Sequence, residues 1–137
     1  LPSDVRARIT ALPSTAEHAG ALFCHASPGS DMRGFSPLDD PGDAELLAGA
    51  AQARVVFGHT HVQFRRLTEA GTELVNPGSV GLPFDGDRRA AYALLHDDGR
   101  LQLRRVAYDA DVAATAMRAI GEPWADAVAG WLDRGRP

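Results

Sequence analysis

The chain of 137 residues contains no lysine, and all 14 of its basic residues are arginine. The formal net charge at pH 7 is -4, so charge gives no reason to expect nucleic acid or a membrane surface as a partner. No apolar run approaches the roughly 18–20 residues of a membrane helix, and no charged-then-apolar signal peptide opens the sequence. These absences predict a soluble, cytoplasmic domain.

Cysteine is equally scarce. Cys24 is the single example, and it lies within the apolar run at residues 21–24. There we expect a small buried hydrophobic side chain rather than a nucleophile, in a reducing compartment. With 45% hydrophobic residues, the chain has the size and composition of one domain with a sizeable core.

The sharpest chemical signal is a short apolar run that ends at Gly58 and is followed by His59 and His61. Residues 55–57 predict a strand covered on both faces. In extended backbone, residues i and i+2 point the same way, about 6.5–7 Å apart. The two imidazoles would then share a face, where each could serve one of two metal ions about 3.5–4 Å apart. The alternative is a pair of loop histidines hydrogen-bonded to backbone, and the spacing alone does not decide between them.

Residues 21–25 repeat this layout, because another apolar strand ends at His25. A lone histidine there has a structural interpretation, but ligands of a shared metal centre commonly come from several strand ends. Between the two strands, residues 31–42 predict a long surface loop and residues 43–53 predict a helix. The order strand, helix, strand indicates a βαβ unit with parallel neighbours.

The remaining segments predict short elements around this unit. Residues 2–12 predict a helix capped by Ser3 or Asp4. Residues 62–75 predict a hairpin, and residues 76–81 predict either a tight corner or a loop that approaches an anion or a metal-bound histidine. A second hairpin turns through two residues, Asp98 and Gly99, with His96 in solvent. Residues 111–120 and 123–132 predict two amphipathic helices, with Trp124, Val128, Trp131 and Leu132 packed against the body.

Three stretches, residues 23–28, 56–64 and 75–94, together resemble the calcineurin-like metallophosphoesterases, specifically their small bacterial and archaeal phosphodiesterase branch. The pairing of Gly-His-Thr-His with Asn-Pro-Gly-Ser carries most of the resemblance. It implies an α/β fold in which residues 1–137 form the C-terminal portion of a single domain, a four-layer α/β/β/α sandwich. The family's first three motifs would then precede Leu1.

Carried over to this sequence, the resemblance implies that His25 and His59 bind one metal ion of a dinuclear pair and that His61 binds the other. Mn²⁺ is the first expectation, with Fe, Zn or Ni as alternatives. Two divalent cations bring a charge of +4, which three neutral imidazoles do not offset, so carboxylates must complete the site.

The acidic residues nearest the strand ends in this chain are Asp31, Asp85 and Asp87, and we expect all three to be loop or turn residues rather than ligands. The missing N-terminal segment of the same protein would therefore supply the carboxylates. Residues 1–137 alone are expected to be inactive and to bind at most one divalent ion.

The implied activity is hydrolysis of phosphodiesters, with a metal-bridging hydroxide as the nucleophile and a phosphoester as the substrate. Two alternatives stay open. One is a non-catalytic half-fold that serves as a docking or regulatory module. The other is a mononuclear zinc hydrolase, because three histidines and a water match a catalytic zinc site in number.

Overall fold

The computed structural model describes residues 1–137. Its helices and strands follow one another as α1 (Ser3–Thr10), β1 (Thr15–His18), β2 (Ala21–Cys24), α2 (Asp43–Leu46), β3 (Arg54–Val56), β4 (Phe64–Leu67), β5 (Glu73–Asn76), β6 (Ala90–Leu95), β7 (Leu101–Val106), α3 (Ala110–Arg118) and α4 (Ala125–Arg134). None of these helices combines the length and apolar character needed to cross a bilayer.

Five strands form one mixed sheet in the order β1-β2-β3-β5-β4, and β6 pairs with β7 in a second sheet. Strands β2, β3 and β5 are parallel, with Phe23, Val56 and Val75 aligned across the sheet. Strands β1 and β4 are antiparallel edge strands. The predicted parallel unit is therefore confirmed, and the C-terminal ends of β2, β3 and β5 meet at one edge of the sheet.

Both faces of the central strands are covered, which explains their nearly continuous apolar sequences. On one face, β3 and β5 pack under the loop before α2, where Phe35 contacts Phe57 with ring centroids 4.9 Å apart. On the other face, Val56 and Val75 pack against Leu101 of the second sheet. Two sheets thus enclose one core with α2 outside the first sheet, which confirms the α/β class.

Helices α3 and α4 pack against each other through Ala114, Ala129 and Leu132, all of them buried. The pair is attached to residues 82–88, where the Arg88 guanidinium donates to the Leu132 carbonyl at 3.1 Å. The prediction that Leu132 packs inward is confirmed. Trp124 was predicted to do the same but is 52% exposed, because it precedes the first turn of α4 instead of lying on its inner face.

Several local predictions are wrong in detail. Helix α2 ends at Leu46 and not at residue 53, and the chain then turns through Gly49 with φ +87°. Helix α1 begins after Pro2 with no side-chain cap, so neither Ser3 nor Asp4 caps it. Strand β1 was not predicted, because Thr-Ala-Glu-His shows no apolar alternation and the two-residue turn that joins it to β2, Ala19-Gly20, lacks a strong hairpin pair such as Asn-Gly.

The β6–β7 turn contains three residues and not two. The His96 N–H donates to the Arg100 carbonyl at 2.9 Å, which leaves residues 97–99 as the turn. Gly99 has a φ of +79°, as in the common three-residue hairpin with a glycine bulge. His96 is half-buried, and its Nε2 atom contacts neither solvent nor a polar partner. The prediction of a solvated side chain is therefore wrong, because this ring nitrogen is buried.

Candidate metal centre

The parallel strands bring two of the predicted histidines to the same edge of the sheet. His25 follows the last residue of β2, and His59 follows β3 after two intervening residues. The Gly58 N–H donates to the His25 carbonyl at 2.8 Å, so the ladder between the two strands continues into the loops that carry the imidazoles.

The two rings face each other directly. His59 Nδ1 lies 3.3 Å from His25 Nε2, with ring centroids 5.2 Å apart and the planes inclined at 74°. Two nitrogens that each lie about 2.0–2.1 Å from one ion, at ligand angles of about 90–110°, are separated by about 2.8–3.4 Å. The pair therefore fits two ligands of one ion, and the same distance allows one ring to donate a hydrogen bond to the other.

His61 is held differently. Its Nδ1 atom lies 2.9 Å from the Leu82 carbonyl oxygen, so Nδ1 carries the proton and Nε2 is left with its lone pair. The ring stacks on Phe84 with centroids 4.8 Å apart, and the Phe84 N–H donates to the His61 carbonyl at 3.0 Å. A histidine that gives one ring N–H to a backbone carbonyl is oriented in the way that metal ligands usually are.

The backbone between these histidines is not extended, which corrects the prediction from i, i+2 geometry. His59 and His61 have φ values of 65° and 58°, in the left-handed region that non-glycine residues seldom occupy. The Thr60 N–H donates to the Gly58 carbonyl at 2.8 Å and closes a tight turn between them. The two rings consequently point in different directions: His59 faces His25, whereas His61 faces residues 82–84.

No three side chains among histidine, cysteine, aspartate and glutamate come together in a way that could hold an ion. Asp85 is paired with Arg105 and also accepts from the Gln63 N–H at 3.0 Å. Burial by itself would raise the pKa of Asp85, but these hydrogen bonds and the arginine charge hold it below its usual value.

The other two aspartates are also turn and loop residues. Hydrogen bonds from the Arg89 side chain and backbone hold the pKa of Asp87 well below its usual value, despite a smaller opposing effect of burial. Asp31 is exposed in the loop after β2. In the structure all three acidic residues are therefore turn or loop side chains, as expected.

Sequence reasoning missed two polar residues that support the histidine loops. Asn76 ends β5 fully buried and donates to the Gly58 carbonyl at 2.8 Å. Gln63 donates to the Pro77 carbonyl at 3.0 Å and to the Arg104 carbonyl at 3.1 Å, so it ties the histidine turn to both sheets. A single asparagine or glutamine in a loop sequence gives no sign of this, and the Asn-Pro-Gly signal for a turn concealed the role of Asn76.

The model of the calcineurin-like phosphoesterase superfamily domain matches residues 11–100. This match covers more than half of the chain, which therefore belongs to that superfamily of metal-dependent phosphoester hydrolases. The family prediction is confirmed.

Two solved structures are similar in fold. The first is a metallophosphoesterase from Sphaerobacter thermophilus, with 24% sequence identity and a TM-score of 0.82 over 98% of this chain and 62% of that one. The second is a hypothetical protein from Pyrococcus horikoshii OT3, with 19% identity and a TM-score of 0.74 over 96% of this chain and 54% of that one. The chain thus spans less than two thirds of either structure. No curated protein matches it significantly.

Proposed function

We propose that the protein to which this chain belongs hydrolyses phosphodiesters with two divalent metal ions, Mn²⁺ first among them. The observation that carries the proposal is the His25–His59 pair, whose facing nitrogens lie 3.3 Å apart at the ends of adjacent parallel strands. His25 and His59 would hold one ion and His61, through Nε2, the other. When bound, the ions would supply Lewis acidity toward the phosphoryl oxygens and would lower the pKa of water.

The residues of this chain contribute orientation rather than charge. The Leu82 carbonyl keeps the proton of His61 on Nδ1, and Phe84 restricts rotation of that ring by stacking on it. Trp131 of α4 contacts the edge of Phe84 with centroids 5.8 Å apart, so the helix pair supports the His61 side of the site.

The anionic ligands must come from elsewhere in the complete protein. Three neutral imidazoles do not offset two divalent charges, and the described residues bring no carboxylate to the pair. We therefore include in the proposal a further segment of the same protein, which would provide aspartate or asparagine ligands at the same edge of the sheet.

Turnover of bis(4-nitrophenyl) phosphate by the complete protein, with added Mn²⁺ and then with EDTA, tests the activity. We expect turnover that depends on Mn²⁺ and is abolished by His59→Ala with the fold retained. His18→Ala is the matched control, because His18 is exposed on β1 and its side chain makes no hydrogen bond to the rest of the chain.

Two outcomes would contradict the proposal in different ways. Absence of metal-dependent turnover in the complete, folded protein would favour a non-catalytic docking or regulatory module. One tightly held zinc ion per active chain, measured by elemental analysis, would favour a mononuclear zinc hydrolase.

A further inference from the structure

Asn76 is the polar side chain most completely enclosed near the histidines. It is 0% exposed and is the last residue of β5, beside the end of β3. Its Nδ2 group donates to the Gly58 carbonyl at 2.8 Å and to the Thr60 hydroxyl at 2.9 Å, and its Oδ1 atom accepts from the Gly78 N–H at 2.9 Å. Both amide protons and one acceptor position are used, so the side chain has a single favourable orientation.

These contacts lead directly to the facing imidazoles. Gly58 receives the Asn76 hydrogen bond on its carbonyl and gives its own N–H to the His25 carbonyl at 2.8 Å. Thr60, the other Asn76 partner, lies on the far side of His59. One buried amide therefore holds both residues flanking His59, and the first of them, Gly58, is linked through its N–H to the backbone of His25.

The backbone of His59 needs such support. Its φ of 65° lies in the left-handed region, where a residue with a side chain is held only when its surroundings oppose relaxation. Without the Asn76 contacts, the turn at residues 58–60 would keep two backbone hydrogen bonds, from the Thr60 N–H to the Gly58 carbonyl and from the Gly58 N–H to the His25 carbonyl. The first closes the turn and the second ties its first residue to the end of β2, but neither holds the Thr60 side chain, which follows His59.

We propose that Asn76 is the positioning residue of the histidine pair: it sets the separation and orientation of His25 and His59 before any ion binds. The identity of the ligand rests on the proposed function, whereas the effect on ring geometry does not. In this role Asn76 touches neither metal nor substrate, and acts through Gly58 and Thr60.

The first test is a Mn²⁺ titration of the complete protein by calorimetry. Asn76→Leu keeps the approximate size of the side chain and removes all three hydrogen bonds without adding charge. We expect Mn²⁺ affinity to fall about 10- to 100-fold, as for residues that orient metal ligands. Thr60→Val removes one of the bonds and should lower the affinity less. Thr68→Val is the matched control, because it loses a buried hydroxyl that accepts from Thr72 in the β4–β5 turn.

The comparison remains decisive if Asn76→Leu does not fold, because Thr60→Val then carries the test. A loss of affinity of about threefold or more relative to Thr68→Val supports positioning, and a smaller loss overturns it. Equal losses in the two threonine variants also overturn it, because they would report general destabilisation.

The second test needs no metal. In the metal-free protein, the nuclear Overhauser contact between the His25 and His59 rings and the slow exchange of the Gly58 amide should weaken in Asn76→Leu and persist in Thr68→Val. Unchanged contact and exchange in Asn76→Leu would overturn the proposal. If the wild-type protein binds no Mn²⁺, the proposed function fails, and this measurement still decides whether Asn76 positions the pair.

Discussion

Replacing Asp85 with asparagine should lower the free energy of unfolding by about 2–3 kcal/mol at pH 7. Asp85 and Arg105 form a bidentate ion pair whose side chains are 14% and 15% exposed. The same carboxylate accepts from the Gln63 N–H at 3.0 Å, next to the histidine turn. The asparagine keeps an acceptor for Gln63 but loses the charge and one of the two bonds to the guanidinium.

The magnitude follows from what Arg105 retains. Breaking a fully buried ion pair costs about 3–5 kcal/mol, because a charge is left without a partner. Arg105 keeps bonds to the Gln63 Oε1 atom at 3.1 Å and to the Asp87 carbonyl at 3.3 Å. The expected loss in the free energy of unfolding is therefore below that range, near the value of one hydrogen bond to a charged group.

The effect should depend on pH in one direction. The pKa of Asp85 is lowered in the folded chain, so its contribution is fully present above the unfolded value of about 3.9 and is lost as the pH falls through the lower folded value. The difference between wild type and Asp85→Asn should be constant from pH 7 down to about 5 and should shrink below about 4.

Urea denaturation of both proteins at several pH values measures this difference. Asp97→Asn, an exposed change in the β6–β7 turn, should alter the free energy of unfolding by less than about 0.5 kcal/mol. A loss below about 1 kcal/mol for Asp85→Asn, or a difference that grows on acidification, would show that the Asp85–Arg105 pair contributes no more than an exposed ion pair.

Two further substitutions and one labelling experiment have definite expected results. Glu73 accepts from two arginines that outweigh the effect of burial and lower its pKa, so Glu73→Gln should reduce stability at pH 7 and flatten the acid limb of a stability–pH curve. Gly78→Ala should destabilise by about 2–4 kcal/mol, because φ is +82° and a Cβ would lie 2.7 Å from a neighbouring side chain, whereas Gly20→Ala, with φ +75° and open space, should cost less in thermal melts. Burial raises the pKa of the Cys24 thiol to about 11, so iodoacetamide at pH 8 should label the native protein far more slowly than the urea-unfolded one.

The parts of the fold that the sequence predicts are those set by local pattern. The apolar run at residues 55–57 marks β3, and Asp98-Gly99 marks the second hairpin to within one residue. Strand β1 was missed because the two-residue turn that joins it to Ala21–Cys24 has Ala19 where asparagine, aspartate or glycine would signal a hairpin, and because its exposed side chains follow no period. The strand propensity of such a segment depends on its context more than on its own residues.

The candidate site was also predicted only in part. The histidines at the strand ends and the family resemblance suffice to predict that His25 and His59 lie together. The direction of His61 depends on left-handed backbone at two positions, His59 and His61, and on the carbonyl of Leu82, 21 positions after His61. The Asn-Pro-Gly pattern signals a turn in any context, and only the packed structure shows which peptide the Asn76 amide holds.

If His59 binds a metal ion as proposed, its left-handed backbone sets the stability of the fold against metal binding. An L-residue with a side chain gives up about 1–2 kcal/mol in that conformation, and glycine does not. Selection for heat resistance alone should therefore favour glycine at His59, with the loss of one imidazole. At His61, glycine would also remove the hydrogen bond to the Leu82 carbonyl and the stacking on Phe84, which offset the gain. Directed evolution of this protein would need a readout of metal binding at every round, because variants that melt at higher temperature would otherwise be enriched for chains that lack this candidate ligand.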